Sequence, residues 1–454
     1  MKRHDPMHIS ETRARRFAGP LALLAPFTAE LALADERRLF EDSSLVLNTR
    51  HWYSHEIARK DSYFRVPDDE GGRPVRDRVA WLQGLKLDYR SGYSQGEQGL
   101  GMDFSLYGAV ALERSREAVA GGSTRLLVER DGEVVDQWGK VGIAALKLKA
   151  GATEAKLGRQ QIRTPVMSYA DTRTLPASFD GFSLESHDLP GLTFKAGHFQ
   201  RATPRTGAGS QDLSLTFTTR LVESDWIAYA GGDYRLGERG RASLYLSRFD
   251  DVWDRTYAGW AQRYRLGELD LGLRLDFYDT RSSGRESAGR ISQQAYGASV
   301  APGYANHTLK LAFQQIDGDE YFDFPAESNA FDLPNAMLSY YNGPNERSFQ
   351  VSYGTDWTPY GLPGFKSLFW YVKGWGIDGS GYNGGPRAAY NSVLGQKGES
   401  HYEVGGLLSY AVQSGPLRGV GLSTGYIWHR ASAGQIEGNL EEFRLIIDAP
   451  LRLL

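Results

Sequence analysis

The last twelve residues, Phe443-Arg-Leu-Ile-Ile-Asp-Ala-Pro-Leu-Arg-Leu-Leu454, read as a strand with two chemically different faces. Phe443, Leu445, Ile447, Ala449, Leu451 and Leu453 share one parity, and Arg444, Asp448 and Arg452 share the other. A soluble antiparallel sheet can show such alternation. Here it recurs along the whole chain, with charge repeatedly opposite the apolar face. Trp81, Leu85, Leu87 and Tyr89 oppose Lys86, Asp88 and Arg90; Leu271, Leu273, Leu275 and Phe277 oppose Arg274 and Asp276. Helical spacing fits neither segment, because it would put Arg or Lys inside the apolar stripe. A wall that is apolar outside and charged inside describes a barrel in lipid around a watery lumen.

Bulk composition neither supports nor opposes this reading. The chain is 24% charged, with a mean hydropathy of −0.45. Beyond residue 34, no stretch approaches the roughly 18 to 20 apolar residues of a membrane helix. A helical membrane protein is excluded, whereas a barrel gives only a weak signal per strand. The N-terminus carries Lys2, Arg3, Arg13, Arg15 and Arg16, then an apolar core from Ala18 to Phe27, then Ala32-Leu33-Ala34. That order predicts a secretory signal over residues 1–34 and a barrel domain over 35–454. Export permits disulfides, yet cysteine is absent. A closed barrel needs no such staples, since closure pairs every strand edge. A formal net charge of −3 gives no reason to expect nucleic acid.

Turn-rich stretches divide the alternating segments at fairly even spacing, and no linker separates two domains. Some connections are tight, such as Leu236-Gly-Glu-Arg-Gly240; others are long, such as Pro67 to Arg78 or Phe322 to Asn345. Short turns on one rim and long loops on the other are the asymmetry of an outer-membrane barrel. Aromatic residues gather near strand ends, where amphipathic rings suit the headgroup boundary. At roughly 9 to 11 residues per tilted strand plus connections, the chain accommodates about 18 strands, with 16 also compatible. The predicted class is therefore all-β, a closed antiparallel transmembrane barrel.

Several segments resemble the OprD family of substrate-specific outer-membrane porins. Gln161-Ile-Arg-Thr-Pro-Val166, Ala170-Asp-Thr-Arg-Thr-Leu-Pro176 and Phe179-Asp-Gly-Phe182 are similar to that family's strand entering an inward-folded constriction loop. Leu192 to Arg205, Phe249-Asp-Asp-Val-Trp-Asp254, Tyr353 to Gly364, Tyr410 to Arg418 and the C-terminal strand continue the series in order. The resemblance covers nearly all of residues 35–454. It implies an 18-stranded barrel with an inward loop, conducting as separate pores whether or not weak homotrimers form. It further implies passive uptake of small carboxylate solutes along basic side chains, and engagement of barrel-insertion machinery by the C-terminal strand. One departure stands out: Ser423 and Gly425 occupy inward positions where members often carry basic residues.

Parity places Arg50, Arg90, Arg263, Arg265 and Arg274 on the charged face, and Lys373 too, opposite an apolar face of Trp370 and Val372. Arg159 and Arg163 lead into the expected constriction loop, which adds Asp171 and Arg173. A charged group within a membrane-spanning segment requires water or a partner, so these positions predict a wet bore. Arginine suits carboxylate passage because its planar fork can hold the anion through two hydrogen bonds. Flux then requires sites tight enough to enter and loose enough to leave. Solvated Arg–Asp pairing across strands is the competing account of any single residue.

Three other functions compete with this one. A general diffusion porin would share the wall but show weak selectivity. A serine hydrolase would need a nucleophile with a positioned base, and the chain has no G-x-S-x-G. A structural adhesin barrel would pass no solute. The pattern predicts no cofactor, no metal and no catalysis; the expected surroundings are outer-membrane lipid of a Gram-negative cell.

Overall fold

A computed structural model of the chain describes residues 36–66, 73–114, 126–127, 133–329 and 332–454. The expected signal segment lies outside these residues. Eighteen antiparallel strands form the wall. They are β1 Ser44–Ala58, β2 Asp77–Arg90, β3 Gly99–Ala111, β4 Gln137–Ala150, β5 Thr153–Gln160, β6 Ser178–Ser186, β7 Leu192–Thr203, β8 Ile227–Leu236 and β9 Gly240–Phe249. The second half comprises β10 Trp253–Leu266, β11 Leu269–Ser282, β12 Ser292–Tyr304, β13 His307–Asp317, β14 Arg347–Asp356, β15 Phe365–Asp378, β16 Lys397–Ala411, β17 Gly421–Ala431 and β18 Leu440–Arg452. Each strand pairs with its chain neighbours. Closure comes from β1, which pairs with β2 on one side and β18 on the other, placing Arg50 beside Asp448. Among the described residues the closed wall leaves no sheet edge for lipid to meet.

Alternation works as the sequence predicts over most of the wall. Leu146 and Leu157 are 63% and 62% exposed, while Lys147 and Gln160, of opposite parity, are buried inside. The outer side chains of β10 to β14 include Trp260, Leu275, Phe313 and Phe349, which border a shallow apolar hollow of about 470 Å³. Its place on the hydrocarbon-facing wall makes it a lipid contact and not a solute site. A basic substitution at Leu275 would put charge toward lipid; at the bilayer midplane that costs about 2–4 kcal/mol.

The two rims differ. On one, residues 151–152, 237–239, 267–268 and 305–306 are tight connections. The short helix Glu36–Glu41 sits on the same rim, where Gly92 N–H donates to Leu39 O at 3.0 Å. On the other rim, segments 161–177, 204–226, 318–346 (described over 318–329 and 332–346) and 379–396 are long, and they fold back into the bore. They hold one another: Ala170 N–H donates to Glu327 O at 3.0 Å, Ala326 to Ser214 O at 2.7 Å and Thr219 to Ala389 O at 2.7 Å. The wall holds them too, since the Tyr278 hydroxyl donates to Pro165 O at 3.0 Å and accepts from Asp332 N–H at 3.1 Å. The inward 161–177 segment agrees with expectation. That 318–346 also turns inward was not legible beforehand.

Candidate functional site: the constriction and its two chambers

The segment Asp171–Arg173 crosses the bore and is pinned by Arg50. The Arg50 guanidinium donates to Asp171 at 2.7 Å, to Asp448 at 2.7 Å and to the Arg173 carbonyl at 3.0 Å. One cation thus ties loop to wall across the β1–β18 seam. Hydrogen bonds involving charged partners contribute more than neutral ones, and Arg50 is largely withdrawn from water. Lys140 secures the far end of the loop by donating to the Pro176 carbonyl at 3.0 Å.

Two cavities flank this crossing. On the long-loop side lies a vestibule of about 380 Å³, bordered by Arg78, Thr172, Arg173, Tyr340, Glu437 and Arg444. Within it, Arg78 is ion-paired with Glu56, and Arg444 with Glu442 at 2.8 Å. On the short-turn side lies a chamber of about 310 Å³, whose polar lining includes Asn48, Lys86, Asp88, Arg90, Gln161 and Asp171. Asp88 accepts from Ser105 at 2.6 Å and Asn48 at 3.2 Å, so its carboxylate is held in place. Among the described residues Lys86 and Arg90 form no ion pair, which leaves two cations facing the chamber. Arg163 likewise forms none; its guanidinium stacks 4.8 Å from the Tyr169 ring centre and donates to that hydroxyl at 2.8 Å. Tyr169 itself borders the chamber.

The structure therefore brings Arg50, Arg90, Arg163, Asp171 and Arg173 to one passage. Arg263 and Arg265 share the inward parity of the buried Arg255 and Tyr257 but sit exposed near the short-turn rim, at the mouth. Arg274 faces inward at mid-wall, where it pairs with Asp276 at 2.8 Å and Asp332 at 3.1 Å. Those pairs anchor the 318–346 segment.

Two positions require correction. Arg159 lies on the same strand face as Leu157, and its partner Asp180, 2.7 Å away, shares the face of Phe182. The pair occupies the outer surface near the long-loop rim, because β5 gives its inward positions there to Gln160 and Lys156. Lys373 also points outward, with Phe369, Tyr371 and Trp375; its ammonium lies 5.8 Å from the Tyr402 ring centre. Parity misassigned it because Trp370 and Val372, apolar and taken as lipid-facing, are buried inside. Met337, Leu338 and Tyr341 from the inward segment cover them.

Residues the sequence reading passed over include Glu327, which pairs with Arg205 at 2.7 Å, and Glu403. The buried Glu403 carboxylate accepts from Leu338 N–H, Ser339 N–H and Trp370 Nε1–H. Local periodicity carries no signal for such partners, since the contacting loop is distant in sequence.

Residues 38–453 match the family model described as outer membrane porin, OprD family. The chain belongs to this family. It is 31% identical over 432 residues to Porin D of Pseudomonas aeruginosa strain PAO1, covering 93% of each chain. Its fold is similar to the crystal structure of OccD3 (OpdP) from Pseudomonas aeruginosa, with a TM-score of 0.80 and 38% identity over 92% of this chain and 93% of that one. It is also similar to Pseudomonas aeruginosa OpdK solved with vanillate, with a TM-score of 0.80 and 28% identity over 91% of this chain and all of the other. This OprD-family chain is thus an outer-membrane channel for small solutes that crosses the membrane repeatedly as strands. Its relatives are channels rather than enzymes.

Proposed function

We propose that the channel selects small carboxylate-bearing solutes and conducts them passively into a Gram-negative cell. The carrying observation is the inner chamber, where Lys86 and Arg90 face the space below the Asp171–Arg173 crossing without ion pairs of their own. A solute carboxylate passing the crossing meets Arg163 and then these two cations. Asp88 and Asp171 on the same lining offer a counterpart for a cationic group on an amino-acid-like solute. OpdK, a relative, was solved with vanillate, a carboxylate, and that ligand chemistry supports the same reading here. The basic path is shorter than the family pattern implies, since Ser423 and Gly425 leave β17 uncharged on that face. Residues 1–34 would direct export, and the C-terminal strand would engage the barrel-insertion machinery.

The test is block of single-channel current by a panel of arginine, benzoate-like acids and short aliphatic acids. Carboxylates should block in a saturable way, and Arg163→Ala and Arg173→Ala should weaken the block. Equal permeation of anionic, neutral and cationic solutes of one size would remove the selectivity and leave a general diffusion pore.

A further inference from the structure

At the long-loop end of the wall, beside the vestibule, two histidines and a glutamate converge away from the constriction. His401 Nδ1 lies 2.8 Å from His429 Nε2 and 3.3 Å from a Glu437 carboxylate oxygen; His429 Nε2 is 3.5 Å from that oxygen. The outer face of each ring is already committed. His429 Nδ1 is 2.8 Å from the Gly438 carbonyl, which can only accept, so that nitrogen carries the hydrogen. His429 Nε2 then offers a lone pair toward the cluster. His401 Nε2 is 2.6 Å from Glu346, so it donates to that carboxylate. Its Nδ1 is left facing the same point. Two nitrogen lone pairs and a carboxylate oxygen cannot share a space this small without a cation among them.

A proton on His401 Nδ1 is the minimal cation, and the geometry points to a second: we infer that this cluster is a divalent transition-metal site, suited to Zn²⁺. Bonds of about 2.0–2.1 Å arranged tetrahedrally separate donor atoms by about 3.3 Å. The three separations here bracket that value, so only the 2.8 Å edge must widen. The surroundings also match what a metal centre requires. Metal-bound histidines characteristically donate their second N–H to a carboxylate or backbone carbonyl, and Glu346 and Gly438 occupy those positions. Gln435 Nε2–H donates to Glu437 at 3.2 Å and Ser339 bonds the same carboxylate, which orients it. Gly374 makes room from the neighbouring strand, since a Cβ there would overlap Glu346 and come within 2.7 Å of His401.

Access and charge agree with this assignment. The histidine side chains are 1% exposed, but Glu437 is 26% exposed and borders the vestibule, so a metal has an entry path and a water can complete its coordination. With a proton in the centre, the two carboxylates outweigh the single imidazolium. Exchange forms a metal–Nδ1 bond, breaks the Nδ1–H bond and releases one proton to water, which leaves the cluster neutral. Bound metal would join β16 and β17 to the 432–439 segment, with Glu346 adding the root of β14. This site is independent of which solute the channel carries.

The experiment uses the full barrel in detergent after chelator dialysis, its fold checked by heat-modifiable gel migration. Zn²⁺ is titrated calorimetrically in buffers of different ionisation enthalpy, and Co²⁺ is added as a spectroscopic stand-in. The expected result is stoichiometric Zn²⁺ binding with release of about one proton, and intense visible cobalt bands of a tetrahedral centre. His429→Ala should abolish both, and Glu437→Gln provides the same comparison if that variant misfolds. Glu346→Gln should keep the stoichiometry and weaken affinity roughly 10- to 100-fold, while His307→Ala, at the opposite rim, should change nothing. Absence of saturable binding to the folded wild type, or binding that survives both His429→Ala and Glu437→Gln, would overturn the assignment and leave a proton as the only occupant.

Discussion

Around β8 to β11 the inside of the wall is coated with Tyr229, Tyr245, Trp253, Tyr257 and Tyr278, and inward segments bury these rings almost completely. Around β1, β2 and β18 the same inside face carries Lys86, Asp88 and Arg90 on the lining of the open chamber, with the Arg50–Asp448 pair on the neighbouring seam. Both regions obey the same alternation, and both oppose an apolar exterior. Parity therefore sorts inside from outside but not wet from dry. A loop decides the second question by covering one arc of the bore and leaving the other. Even a cation can belong to the dry arc: Arg255 is 2% exposed, stacked 4.5 Å from Trp253 and 4.3 Å from Phe322.

The dry arc is the more fragile, since its packing depends on a few buried polar anchors. The Asp323 carboxylate accepts from Thr216 N–H at 3.2 Å, Phe217 N–H at 3.1 Å, Phe324 N–H at 2.7 Å and the Tyr390 hydroxyl at 3.2 Å. Asp323→Ala strands these donors, and each buried unmet donor costs about 1–3 kcal/mol. The inward segment should come away from the wall. Single-channel conductance should rise several-fold and carboxylate block should vanish. Unchanged conductance would mean that the aromatic packing holds the arc closed by itself.

A smaller effect is expected where the wet arc meets the loop. Arg50→Ala leaves Asp171 and Asp448 facing each other's region without their shared partner. The barrel should persist, because β1 keeps both ladders. The constriction, now net acidic, should shift toward cation selectivity, with carboxylate block weakened about tenfold, or about 1.4 kcal/mol. Reversal potentials in a salt gradient check the first statement, and block titrations the second. If anion selectivity survives, the crossing segment contributes shape and not charge.

The same division explains what could be read from the sequence. Alternation such as Leu271 to Phe277 against Arg274 and Asp276 is set by backbone geometry, so closure, a count of about 18 strands and most outward faces were accessible in advance. Parity put Arg50 and Arg90 on the inner face for the same reason. Lys373 was misplaced because the apolar Trp370 and Val372 belong to the dry arc, which mimics a lipid-facing stripe. Arg159 was misplaced because proximity to the constriction loop overrode its parity with Leu157. The Glu437 cluster stayed hidden because His401 and His429 lie on neighbouring strands and Glu437 on the loop after them, at spacings that match no metal-binding motif.

Acidity should separate the arcs more gently. Burial in the inward 318–346 segment pushes the Asp323 carboxyl up to about 6 against its hydrogen-bond donors, and Glu320 up to about 7. Both folded values exceed the ordinary ones, so the folded segment binds protons more tightly than the unfolded one. Its stability is therefore fullest at low pH and declines as pH rises through about 6 to 7. Hydrogen exchange across residues 318–329, corrected for its chemical pH dependence, should show more protection near pH 5 than near pH 7.5. Exchange at the β1–β2 ladder should change less. Greater protection at the higher pH would reverse the sign and refute the account of these carboxyls.

The weakest effect should come from Lys373, and it tests the placement of a single side chain. Lys373 sits among Tyr371, Trp375 and Tyr402 on the outer face toward the long-loop rim. There its stem can lie along apolar surface while its ammonium reaches the headgroup layer. Lys373→Gln should leave conductance, reversal potential and carboxylate block unchanged. The paired neutralisation Lys86→Gln and Arg90→Gln should weaken block a few-fold, an effect that shrinks as salt screens the chamber. Because both experiments remove cations from the wall, net charge alone predicts a change in each. A measurable loss of block from Lys373→Gln would turn that side chain into the bore and, with it, the parity of all of β15.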